Sequence, residues 1–358
     1  MKGALIGIAI FLAVILVAVL GFKLYDYIAA FEFYNNSDVV FDTPGVSESN
    51  FVPQGMTYIP ETDVFLFAGY MGKPLIGELG SDAAARVYVQ KNDGSLTYTK
   101  LLNEDGTPYT DHTGGVEYFG DYVYITGESS HGLDVFLADD ILSGKPETKM
   151  LGTVKTYNAP AQCYAYEFEG QKYIMAGSYH KDETVYLTPE HEKITTLSGD
   201  KNTSVMTVFR LDENAPLGVQ PEPIAIISAR EMVQGVCITP DGQMVISTSW
   251  GLSTSQLFFY DLSKVQCTED YRYAGKVQYG SLETGEVLSV EAFDFTIPCY
   301  YVDSSCLVDV VMAPPMSEEL VCLDGKIIVF CESACNKYVF GKLTTGFNTY
   351  GYNYNTLK

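Results

Sequence analysis

Val233-Gln234-Gly235-Val236-Cys237-Ile238, a turn at Pro240-Asp241-Gly242 and the run Met244–Thr248 make up the stretch from which the fold is read. Two alternating apolar runs around a turn of this composition read as a β-hairpin. A third run with an aromatic centre follows at Phe259-Tyr260-Asp261.

The same grammar recurs on both sides. Inner-strand openings stand at Pro53-Gln54-Gly55-Met56-Thr57-Tyr58, at His112-Thr113-Gly114-Gly115-Val116-Glu117-Tyr118, at Ala161-Gln162-Cys163-Tyr164-Ala165-Tyr166 and at Ser317-Glu318-Glu319-Leu320-Val321-Cys322. Each leads through a turn into a second strand: Val64–Ala68, Tyr122–Thr126, Tyr173–Ala176 and Ile327–Phe330. Third strands fall at 87–89, 135–137, 208–210 and 339–341, and fourth strands at 96–102, 150–157, 223–228 and 287–293. Four strands per unit, repeated around the chain, is the sequence signature of a β-propeller. The expected fold is therefore an all-β, five-bladed propeller. The fifth unit lacks an outer strand, and the spare strand Asp38–Thr43 is expected to fill it and close the ring. A two-sheet sandwich also spaces its strands this way, but gives no reason for a polar residue to recur at one phase.

The run Gly3 to Phe22 carries no charge and is long enough, at about 1.5 Å per residue, to cross roughly 30 Å of hydrocarbon. It is read as an uncleaved single-pass anchor. A signal peptide cleaved near Ala29-Ala30 is the alternative. The division expected is an anchor and juxtamembrane segment over 1–32 and an extracytoplasmic propeller over 33–358, which places the protein at the cell membrane. The net charge of −23 and pI of about 4.4 exclude a nucleic-acid partner, because counterion release requires Lys and Arg. They also disfavour docking onto an anionic lipid surface.

Aligning the units brings Gln54, Gly114, Gln162, Gln234 and Glu318 to equivalent axial points, with His112 just ahead of its unit's point. Inward polar groups need partners: each other, water or a ligand. The expected ligand-binding set is Gln54, His112, Gln162, Gln234, Glu318 and Trp250, the only tryptophan. The ligand could be a small molecule, a glycan or a protein, and packing with bridging water is the bland alternative. The ends of the second strands (Gly69-Tyr70, Gly127 to His131, Gly177 to His180, Ser249-Trp250-Gly251, Glu332-Ser333) are expected on the opposite rim. His112 with Glu318 is the one acid–base pair to consider, and no catalytic residue is assigned; whether the chain is an enzyme stays open. The spacing of His and Cys matches no zinc motif. Calcium is the one possible cofactor, with Gln54 and Glu318 as its candidate ligands. Of the eight cysteines, Cys299/Cys306 and Cys331/Cys335 are plausible local disulfides, and Cys163, Cys237 and Cys322 read as buried thiols. Asn35 and Asn202 open glycosylation sequons.

Over about residues 38–345 these openings resemble a group of bacterial secreted or membrane-anchored propeller proteins. The residues that carry the resemblance are Pro53-Gln54-Gly55, His112-Thr113-Gly114-Gly115, Val233-Gln234-Gly235 with Ser247-Thr248-Ser249-Trp250-Gly251, and Pro314-Pro315-Met316-Ser317-Glu318 with Cys331-Glu332-Ser333-Ala334. More distantly, the polar-Gly opening is similar to that of the gluconolactonase and paraoxonase class of calcium-dependent lactonases. That class opens its first blade with Glu-Gly where this chain has Gln54-Gly55, and the nearest carboxylate counterpart is Glu318. An acidic scaffold without a complete catalytic set reads as an extracytoplasmic binding module at the propeller face; the distant resemblance implies a calcium-assisted lactonase or esterase as the alternative.

Overall fold

The computed structural model describes residues 2–47, 50–72, 83–181, 187–281, 286–338 and 340–354. Each hairpin extends by antiparallel pairing into one radial sheet, and five such sheets form the propeller. Blade one comprises, from the axis outward, Phe51–Ile59, Val64–Met71, Arg86–Lys91 and Leu96–Leu102; blade two comprises Val116–Phe119, Tyr122–Gly127, Gly132–Leu137 and Gly152–Lys155. Blade three is built from Pro160–Phe168, Gln171–Ser178, Ser204–Arg210 and Ala225–Ala229, and blade four from Val233–Ile238, Gln243–Thr248, Ser255–Asp261 and Leu307–Ala313. Blade five has Ser317–Leu323, Lys326–Cys331 and Asn348–Asn353, and its fourth strand is the N-terminal Ser37–Asp42.

Local chemistry sets these hairpins. In blades three and five the inner turn is two residues, Glu169-Gly170 and Asp324-Gly325, with φ of 51°, 76°, 50° and 75°. Positive φ at both positions matches the twist of the flanking strands, and Gly reaches it without strain. Each blade is covered by its neighbours, so the core lies in layers between blades. Leu66 and Val87 of blade one pack with Val123, Ile125 and Phe136 of blade two, and Val245 and Phe259 of blade four pack with Leu320, Val329 and Tyr352 of blade five. Ring closure is as expected: Ser37 pairs with Tyr352 and Asp42 with Asn348, which removes the one exposed edge of blade five.

Two expected strands are corrected. The third strand of blade five is Asn348–Asn353, not 339–341; Phe340 opens a 3-10 helix, Phe340–Leu343, inside the excursion from 332 to 347, and Val339 lies outside the described residues. Residues 287–293 are indeed strand, but in the long arm Gln266–Ser281 and Glu286–Tyr301, which joins blade three in parallel through Ile226 and Cys299. Alternation specifies a strand and not its partner, and the outer strand of blade four is Leu307–Ala313. The disulfide expectation is corrected too. All eight cysteines are free thiols; Cys299 and Cys306 sit in different core clusters, and Cys331 lies against Ser317 at 3.6 Å between the two sulfur and oxygen atoms. Asn202 is buried and its amide donates to Ser228 and the Val302 carbonyl at 2.8 and 3.2 Å, which withdraws that sequon from any glycan.

The N-terminal helix, Lys2–Ala29, exposes Phe11, Leu12, Val14, Leu16 and Val17, so it is not a core helix. By length and composition it can cross a membrane, as can a signal sequence. A short helix, Phe31–Asn35, follows and lodges between blades four and five. Its Phe33 is buried, stacked on Tyr352 at 5.5 Å and edge-on to Tyr350 at 5.8 Å.

Candidate functional site

Antiparallel pairing decides where the polar positions meet. The start of each inner strand lies beside the end of the second strand: Val52 pairs with Tyr70, Pro160 with Ser178 and Val233 with Thr248. The two recurrent sets therefore share one rim, and the expectation of opposite rims is corrected. At this rim the register slips between Pro53 and Gly55, Pro160 and Gln162, Val233 and Gly235, and Ser317 and Leu320. A bulge leaves one residue out of the ladder and re-aims its side chain. The bulged residues are Gln54, Ala161 and Gln234, with Glu318 at the same point of blade five.

Gln162 is thus one step beyond the ring. Its side chain folds back over Gly177, where even a methyl group would meet its amide nitrogen, and neither amide atom finds a partner among the described residues. It is fully buried and does not join the other candidates.

Gln54, His112, Gln234 and Trp250 do converge, on a cavity of about 610 Å³ at the rim. Its floor is a polar cluster. Gln54 donates to the Glu332 carboxylate at 2.8 Å and to the Pro53 carbonyl at 2.9 Å, and the Tyr338 hydroxyl donates to the other Glu332 oxygen at 3.0 Å. Lys337 donates to the Tyr70 hydroxyl and lies 5.0 Å from the Tyr70 and Tyr338 ring centres. Burial pushes Glu332 up to about 6, against the pull of Lys337 and its two donors. Glu318 is buried beside it and is raised too, by burial and then by the Glu332 charge. His112 lies tilted at 40° against Tyr70, with ring centres 5.0 Å apart, and is pushed down to about 4 by burial and by Lys337, so it is a neutral imidazole at pH 7. Among the described residues no hydrogen bond joins it to Glu318, and that acid–base pair is not formed.

The wall opposite carries Gln234, which donates to Ser249 at 3.2 Å, and Tyr179, whose hydroxyl donates to the Ser249 carbonyl at 3.1 Å. Trp250 forms the lip, 44% exposed, with Lys181 over its ring at 5.2 Å. His180 completes this side, hydrogen-bonded to the buried Glu192 at 3.0 Å.

The axis itself is occupied by two carboxyls, Glu319 and Glu117, that lie outside the expected ligand-binding set. The inner edge of every innermost strand faces the axis with N–H groups that no neighbouring strand can pair. Glu319 accepts three of them: Met56 at 2.9 Å, Val116 at 3.1 Å and Cys163 at 3.1 Å, from blades one, two and three. Below it Glu117 accepts from the Thr57 hydroxyl at 3.0 Å and the Tyr118 N–H at 3.2 Å. Burial raises Glu117 to about 7, and burial and Glu117 together raise Glu319, against the three N–H donors. The available signal is that Glu319 stands where three of the other four units have glycine, at Gly55, Gly115 and Gly235. A side chain on Gly55 would meet Val116 N at 2.6 Å, and one on Gly235 would meet the Glu319 Cα at 2.4 Å. Glycine lets the blades close, and one glutamate fills the space that closure leaves.

Gln54 and Glu318 fit calcium poorly. The ion takes six to eight oxygens, whereas Gln54 turns its amide nitrogen to Glu332, and the Lys337 ammonium acts on both Glu318 and Glu332. Among the described residues no group of three His, Cys, Asp or Glu side chains comes together as a metal site.

No family model matches the chain, and no curated protein does. Solved structures similar to it include a luciferin-regenerating enzyme (11% identity, TM-score 0.41, 88% of this chain and 95% of that one). Another is a GH43 β-xylosidase/α-arabinofuranosidase from a compost microbial metagenome (10% identity, TM-score 0.44, 88% and 93%). A third is a glucose dehydrogenase-type oxidoreductase from Thermus thermophilus (12% identity, TM-score 0.38, 88% and 98%). Likeness at this level assigns no activity; the propeller rests on the chain's own strand pairing.

Proposed function

We propose that this protein is a membrane-anchored, extracytoplasmic binding module whose ligand sits in the rim cavity. The observation that carries the reading is the convergence of Gln54, Gln234, Glu332 and Lys337, from blades one, four and five, on one cavity with an aromatic lip. Mostly apolar or aromatic walls with a few convergent polar groups are the usual make-up of a small-molecule site. Amide and carboxyl groups beside Trp250 and Tyr179 suit a hydroxyl-rich ligand such as a glycan, whose hydroxyls would bond the floor while a ring face packs on the indole. The lone tryptophan is its own reporter. Titration of the full chain with glycans and small polyols, read by Trp250 emission, should find a ligand whose signal is lost in Gln54→Ala and Gln234→Ala. A ligand that binds equally well to both variants would refute the assignment.

A hydrolase acting on lactones or related esters is the second reading, favoured by one observation: the buried Glu318 and Glu332 carboxyls share one lysine, so one of them can hold a proton near neutral pH. The expected signature is turnover of simple lactones or esters that disappears in Glu332→Gln. Calcium titration adds the check on metal dependence, since an ion bound only by the native state must raise the unfolding midpoint.

A further inference from the structure

The contacts of residues 26–36 fix the rim of the propeller at which the N-terminal helix leaves it. Asp26, near the end of the long helix, receives the Tyr34 hydroxyl at 3.1 Å, and that hydroxyl also bonds Thr345 at 2.5 Å. Thr345 belongs to the excursion between Cys331 and Asn348, which lies on the cavity rim. Ten residues later, the Asn36 carbonyl accepts from Asn353, which pairs with Lys326 at the turn end of blade five. The chain therefore descends the crevice between blades four and five from the cavity rim to the far rim, held by the buried Ala30 and Phe33. It then reverses into the closing strand. The residues before Asp26 continue the same helix in the other direction, outward past the cavity rim and against Phe340–Leu343. The uncharged run ends at Phe22, only about 6 Å of helix before Asp26 at 1.5 Å per residue.

We propose that the rim carrying the cavity is held against the bilayer into which the N-terminal helix inserts, and that its occupant is the membrane surface itself. This inference rests on the anchored reading given above. The side chains on that rim have the composition of a membrane interface. Phe340 and Leu187 are 70% and 64% exposed, Trp250 stands at the lip, and Lys181 and Lys342 lie over the Trp250 and Phe347 rings at 5.2 and 5.7 Å. Aromatic rings with lysines beside them settle at the headgroup level. The chain's net negative charge opposes contact with anionic lipid in general, but the helix sets the distance and these side chains set the local surface. A ligand would then reach the cavity from the layer of water and headgroups at the membrane.

The test uses the full chain in lipid nanodiscs containing a headgroup-proximal nitroxide lipid, read by emission of Trp250. Trp250 should lose most of its emission. In a Trp250→Phe background carrying Phe168→Trp, at the exposed turn end of blade three, the emission should be unaffected. A protein that stays in the disc with Trp250 unquenched, or with both positions quenched alike, overturns the apposition. A protein that is not retained by discs, with a shortened N-terminus by mass spectrometry, overturns the anchored reading and the apposition with it.

Discussion

Glu319 reaches across the propeller axis from blade five and accepts the N–H of Met56, the inner strand of blade one, at 2.9 Å. The same carboxyl binds blades two and three, so one side chain ties four of the five sheets together at the point where their edges have no strand to pair with. Removing that acceptor leaves three buried backbone N–H groups unsatisfied, at a cost of about 1–3 kcal/mol each. Glu319→Ala should therefore lower the unfolding midpoint by about 10 °C in a domain of this size. Glu319→Gln, which keeps an acceptor, should cost less than half of that. Thermal unfolding by circular dichroism measures both, and equal losses would show that volume and not hydrogen bonding is what matters.

Stability should fall as pH rises from about 4.5 to about 7. Burial raises Glu117 to about 7 and Glu332 to about 6, from ordinary values near 4.5. A carboxyl whose folded value is raised holds its proton more tightly in the folded state, so its contribution is complete below pH 4.5 and is lost between there and about 7. The midpoint of unfolding should be higher at pH 5.5 than at pH 8, and Glu117→Gln should flatten the difference. A flat or opposite profile in the native sequence would contradict the buried, proton-holding axis.

Phe33 fastens the N-terminal helical segment to the propeller through its stack on Tyr352. Phe33→Ala removes a fully buried ring, worth about 3–5 kcal/mol. Limited proteolysis should then cut faster between residues 26 and 36, a segment held in the native protein by the buried Ala30 and Phe33. Unchanged protection would mean that the stack does not hold the segment.

Truncation locates ring closure. A chain beginning at residue 33 retains the closing strand and should fold, whereas one beginning at 44 exposes the edge Asn348–Asn353 and should self-associate. Light scattering distinguishes the two, and a monodisperse product from the shorter chain would refute closure by Ser37–Asp42.

Much of this architecture is legible in the residues. The alternation and turn chemistry around Val233–Ile238 locate every inner hairpin, and an unpaired strand before the first hairpin implies closure of the fifth. What stayed hidden is non-local. Residues 287–293 have strand alternation in either of two sheets, and only packing chooses between them. Gln162 aligns with Gln54 by composition, but a bulge at Ala161 moves it one step, and a one-residue slip sends a side chain to the other face. The role of Glu319 depends on N–H groups contributed by three other blades, which no local pattern encodes. Glu332 falls at a recurrent second-strand end, but Lys337 and Tyr338 reach the cavity floor from an irregular excursion with no repeat to mark it.

The most direct measurement of the cavity as the binding site is Trp250 emission in the full chain, titrated with glycans and small polyols, in the native sequence and in Gln54→Ala, Gln234→Ala and Tyr164→Ala. The account predicts a saturable change that disappears in the first two variants and persists in the third, whose side chain lines the opposite mouth. A bound ligand displaced by Tyr164→Ala and indifferent to Gln54→Ala and Gln234→Ala would contradict it.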